Sequence, residues 1–163
     1  GFNVGIGVAH GNALAGQIGT PRQAKVGVFG PIVNQGARLE TMTKQYGVSI
    51  CLDETTAGFC HRYLKPEEGR LRRLARVRPK GMDEPVTVTE LLPPAGDSSP
   101  TDEHLAAFES AVDLVIEGRW DEAISQLQAL PEEGPRSFLK ARMAEFDNSP
   151  PADWDGAFSL TKK

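Results

Sequence analysis

Val26-Gly27-Val28-Phe29-Gly30-Pro31-Ile32-Val33-Asn34-Gln35-Gly36-Ala37-Arg38-Leu39-Glu40 changes its hydrophobic period halfway along. Up to Phe29 the apolar residues fall as in a short strand that begins at Lys25. Gly30-Pro31 then makes a corner, and Pro31 suits a first helical turn, where its missing N–H is not needed. From Ile32 to Tyr46, Ile32, Leu39, Met42 and Tyr46 share one face at about 100° per residue. Gly47 follows where a C-cap glycine is expected. Asn34 and Arg38 stand four apart, on a face turned away from that stripe. A carboxamide and a guanidinium are thus held side by side near the start of a rigid element. Arg offers a planar fork to phosphate and Asn can bond a sugar oxygen. On spacing alone, the pair could equally face water or engage Glu40 or Glu54.

Working outward, Phe2, Val4, Ile6 and Val8 alternate with small residues, a period-two strand whose glycine side admits close approach of a helix or backbone. A glycine-rich hairpin is expected from His10-Gly11-Asn12 to Gly16-Gln17-Ile18-Gly19. Val48–Leu52 reads as a strand, and Asp53 as the N-cap of a short helix near Glu54–Phe59. Leu71–Val77 and Pro85–Leu91 alternate again. Strands and helices interleave, which indicates an α/β or α+β layer arrangement. Residues 93–102, rich in Pro, Gly and Ser, read as a linker. Beyond them three apolar stripes predict helices: Leu105, Phe108, Val112 and Val115; Ala123, Ile124, Leu127 and Leu130; and Phe138, Leu139, Met143 and Phe146. Gly118–Ile124 resembles the turn of one tetratricopeptide unit, too little for a free-standing solenoid, so the tail is expected to pack back on residues 1–92.

The 163 residues are 39% hydrophobic and 25% charged, ordinary for a globular chain. Residues 1–92 carry 12 Lys and Arg against 8 Asp and Glu, whereas residues 93–163 carry 6 against 14. The first part suits a small anionic ligand, and the acidic tail argues against nucleic acid as partner. The basic run Arg70–Arg78 alternates with apolar residues and lacks interleaved aromatics, so it reads as the solvated face of a strand. No apolar run is long enough to span a membrane. Cys51 and Cys60, without a Cys-x-x-Cys pair, indicate reduced thiols in a cytoplasmic setting, with no zinc site and no disulfide scaffold. Gly1–Gly5 has neither an initiator Met nor a basic stretch, so the expectation is no signal peptide and a start in mid-domain.

The central block resembles the signature of class III adenylate and guanylate cyclases: Phe29-Gly30, Val33-Asn34, then Gly36-Ala37-Arg38-Leu39-Glu40. Gly5–Gly11 with Gly16–Gly19 resembles that family's lead-in, and Leu74–Gly81 with Glu84–Val88 its closing hairpin. The resemblance covers roughly residues 1–92. It implies an α+β, ferredoxin-like cyclase fold of which this is the C-terminal part, followed by a small all-α tail over residues 103–163. It implies that Asn34 and Arg38 act on ribose and triphosphate, that Lys80 neutralises triphosphate charge, and that Gly27 and Phe29 lie by the purine. Gly27 departs from the Asp, Thr or Cys usual there, so base choice is not readable from it. ATP is favoured over GTP as the commoner substrate, and a module that has lost catalysis is the rival.

The resemblance further implies a homodimer with shared sites, and Mg2+ or Mn2+ held by aspartates upstream of this stretch, with no metal ligands within it. Residues 1–163 alone are therefore expected to be inactive. Trp120–Ala123 and Ser149–Gly156 resemble the C-terminus of bacterial cyclases with an external sensor. That implies a membrane-anchored parent, with this segment cytoplasmic.

Overall fold

The computed structural model describes residues 4–20, 23–96 and 99–160. Phe2 and the linker residues Asp97 and Ser98 lie outside the described residues. A short strand β1 (Ile6–Val8) is followed by an antiparallel hairpin, β2 (Leu14–Thr20) and β3 (Gln23–Phe29), which forms its own two-stranded sheet. Helix α1 (Pro31–Tyr46) then leads to β4 (Ile50–Leu52), which lies parallel to β1. Helix α2 (Glu54–Tyr63), β5 (Arg70–Pro79) and β6 (Val86–Leu92) follow. The tail contributes α3 (Asp102–Ile116), α4 (Trp120–Gln128), α5 (Gly134–Ala144) and a strand, β7 (Phe158–Leu160). The main sheet has the order β1-β4-β6-β5-β7, antiparallel at its centre and parallel at both edges. The fold is α+β. The tail departs from an all-helical reading, because its last strand joins the main sheet beside β5.

Local chemistry accounts for the ends of these elements. Gly47 closes α1 in the left-handed conformation (φ 66°), its N–H donating to the Thr43 carbonyl. Asp53 caps α2 by accepting from the Thr56 N–H, and Thr101 caps α3 by accepting from the His104 N–H. Gly118 (φ 79°) follows the end of α3. The glycine side of β1 lies against α1: a Cβ at Gly7 would run into the Gly36 carbonyl and the Glu40 N–H. A strand and a helix backbone thus pack with nothing between them.

One hydrophobic core runs through the chain. Leu39, Met42 and Tyr46 of α1 meet Leu74, Val77 and Val88 of the sheet and Phe108, Val112, Trp120, Leu139 and Phe158 of the tail. The three predicted tail stripes are buried at most positions, but Phe146 falls beyond α5 and is exposed, touching Trp120 only edge-on. Leu74 and Ala75 are both buried because the β5–β6 register slips between Arg73 and Ala75. Val4, Ile6 and Val8 of the β1 region, and Leu14, Ile18, Val26 and Val28 of the hairpin, stand uncovered. No helix among the described residues is long and apolar enough to cross a membrane.

Candidate functional site

The site begins at the corner between β3 and α1. Gly30 adopts φ 142°, a conformation that side-chain-bearing residues rarely take, and its place in the turn lies against Asn12 and Ala13 of the lead-in. Pro31 opens α1. Its first turn holds no acidic residue and its N-cap supplies no side-chain bond. No carboxylate within that turn therefore offsets the partial positive charge of the helix end.

A cleft of about 620 Å³ opens here, walled by Phe29, Gly30, Asn34, Gln35 and Arg38 on one side and by Gly81 and Met82 of the β5–β6 turn on the other. Asn34 is exposed and Arg38 half-buried. Neither makes a side-chain hydrogen bond or ion pair among the described residues; Glu40 pairs instead with Lys44 at 3.7 Å. Arg38 points across the cleft, its Nη2 only 3.6 Å from where a Cβ on Gly81 would sit. Gly81 has φ 75°, so this turn favours glycine for its conformation.

The structure thus brings Asn34, Arg38 and Phe29 to one cleft. Lys80 is exposed and begins the turn that forms the opposite wall, without lining the cleft itself. Gly27 is set back from the cleft. The Phe29 ring folds across it, with ring carbons 2.6 and 2.7 Å from where a Cβ at 27 would be. Any side chain there would displace the ring.

Gln35, Gly81 and Met82 are cleft residues that sequence reasoning did not single out. Gln35 is fixed by donating to the Asp53 carboxylate at 3.4 Å, and that buried carboxylate also accepts from the His10 N–H at 3.2 Å. Asp53 therefore ties the end of β1, the start of α2 and the cleft-lining turn of α1 together. Its capping role was legible in the sequence; its grip on Gln35, 18 residues away, carried no local signal.

The basic strand β5 corrects the solvated reading of Arg70–Arg78. Arg72 is buried, pairing with Glu90 at 2.7 Å and Glu133 at 2.5 Å beneath the Phe108 ring. Arg70 pairs with Asp102, Arg73 with Asp113 and Arg78 with Asp155. The acidic tail lies along the strand, and burial of a guanidinium is tolerable only with such partners. Burial pushes the Glu90 carboxyl up in spite of Arg72's opposing charge. Among the described residues no three or more His, Cys, Asp or Glu side chains gather where they could hold a metal ion.

No family model and no solved structure matches the chain significantly. A protein of Anabaena cylindrica named adenylate cyclase is 35% identical over 92 residues, which is 55% of this chain and 18% of that protein. The chain thus spans less than a fifth of that relative's length. Over about half of its residues, then, the chain is similar to a cyclase.

Proposed function

We propose that this chain forms part of an adenylate cyclase, in which Asn34 and Arg38 act on ATP in a cleft completed by a second protomer. The observation that carries the reading is the free amide–guanidinium pair on one wall of one cleft, at a helix start without acidic residues. In the reaction the ribose 3′-oxygen attacks the α-phosphorus, its proton is lost, and the bond to pyrophosphate breaks. Negative charge grows on the phosphoryl and leaving-group oxygens. Arg38 offers a two-pronged donor to that charge, and Asn34 holds a ribose oxygen so that the attacking atom is aligned. Lys80, exposed beside the opposite wall, adds a mobile cation toward the triphosphate. Phe29 supplies an apolar wall for the base, and Gly27 leaves room for its ring. The Mg2+ or Mn2+ that cyclase chemistry uses belongs to residues outside this stretch, so residues 1–163 alone are inactive. The roles of Asn34, Arg38 and Lys80 do not run through the metal. In the whole protein this segment is cytoplasmic and the parent membrane-anchored.

In the intact protein Arg38→Ala should lower cyclic AMP formation about a hundredfold or more, the scale of one lost transition-state donor, while the far-UV spectrum and melting point stay unchanged. Near-normal turnover would sink the proposal, and parallel assays with GTP decide the base. Gly27 favours a second reading, a cyclase-like module that dimerises without turnover, because no side chain stands there to meet a base. An intact protein that dimerises yet makes neither cyclic AMP nor cyclic GMP would establish it.

A further inference from the structure

The wall of the cleft opposite Arg38 is one end of a hairpin, and the tail grips that end. β7 pairs with the last residues of β5, Val77 with Phe158, Arg78 with Ser159 and Pro79 with Leu160. The chain then enters the Lys80–Met82 turn, closed by the Met82 N–H donating to the Pro79 carbonyl at 3.0 Å. Arg78 spans both partners. Its Nε donates to the Asp83 carbonyl, on the far side of the turn, at 2.8 Å. Its Nη2 meets the Asp155 carboxylate of the tail at 2.5 Å, and its Nη1 reaches the Ser159 hydroxyl at 3.3 Å. Arg76 adds a bond to the Asp155 carbonyl at 3.0 Å.

The tail side of this grip is itself firmly seated. Phe158 is buried against the rings of Trp120 and Trp154, and both indole N–H groups donate to the Val115 carbonyl. Gly156 (φ 85°) lets the chain turn beside Ile116 and Arg76, where a Cβ would be crowded at 3.0 Å. A guanidinium fork is planar and pre-organised, so two bonds at once fix its position in a way that a flexible ammonium cannot. The Arg78 bond also holds the Asp155 carboxyl below the usual carboxylate range.

We propose that Arg78 is a positioning residue: braced by Asp155 of the tail, it sets the Lys80–Met82 turn against Arg38, so that the tail's seat on the sheet governs the geometry of the cleft. The part that concerns turnover rests on the cyclase reading. The part that concerns the turn does not.

Two variants in the intact protein test it. Asp155→Ala removes the brace from a half-exposed position without hollowing the core. Arg78→Lys keeps the charge but cannot bond Asp83 and Asp155 together. In both, hydrogen exchange at the Met82 amide should quicken on the order of tenfold, while amides within α3 and α4 keep their protection. The kcat for cyclic nucleotide formation should fall about tenfold or more, with KM changed far less, since displacing a catalytic wall weakens the transition state most. Asp155→Glu should restore both readings. Unchanged exchange at Met82 overturns the brace whatever the kinetics show. A loosened turn with unchanged kcat overturns the link to catalysis. A wild-type protein without cyclase activity overturns the functional reading instead, and leaves the exchange measurement to decide the brace.

Discussion

Cys51 lies fully buried in β4, while Cys60, nine positions later in α2, is only partly covered. Burial first, and the charge of Glu90 second, push the Cys51 thiol up to about 12. At neutral pH it holds its proton and is a poor nucleophile. Iodoacetamide at pH 8 should therefore modify Cys60 in the native protein and reach Cys51 only after unfolding. Equal labelling rates would show that β4 is open to solvent. The sign of the pH effect follows from the direction of the shift. The folded state holds the thiol proton more tightly than the unfolded chain, whose value is near 9. Its contribution to stability is complete below pH 9 and declines as the pH climbs toward 12. Thermal melts across that window, compared with a Cys51→Ala variant, isolate it. At this scale the sequence was partly legible. Asp53 announced itself as a cap because its partner is three residues away, whereas the Phe29 ring lying over Gly27 depends on a rotamer that no spacing encodes.

Among the elements, the contact of β1 with α1 separates two glycines that look alike on paper. Gly7 faces the helix backbone so closely that a methyl group cannot be placed without moving α1. Gly7→Ala should destabilise by about 1–3 kcal/mol, the usual range for overpacking, read as a lower denaturant midpoint. Gly16, in β2, has nothing within 4 Å of a built Cβ, and Gly16→Ala should stay within about 0.5 kcal/mol. A comparable loss at both sites would mean that strand propensity, not helix contact, sets the cost. The helix itself was legible because its stripe, its proline start and its glycine stop lie within one local window. β5 was legible as a strand and misread as to its environment. Its arginines find their carboxylates as much as 77 residues downstream, and sequence periodicity reports which residues share a face but not what covers that face.

For the molecule as a whole, one core joins α1 and the main sheet to the helices of the tail, and buried Arg72 bridges Glu90 of the sheet to Glu133 beside α5. Tryptophan emission, which reports only from Trp120 and Trp154 in the tail, should lose its native signal at the same denaturant concentration as the far-UV signal. Two separated midpoints would make the tail a unit of its own. The same arrangement bears on how the protein is made. β7 comes last of the described elements, and its pairing with β5 closes a loop of some 81 residues, a contact that pays its chain-entropy cost late. On a ribosome, β5 and β6 emerge long before their edge partner, so the nascent hairpin waits with a bare flank until residue 160 is released. Completion of the sheet is thereby set by translation: of the described strands, the last to leave the exit tunnel is the one that seals the flank of β5.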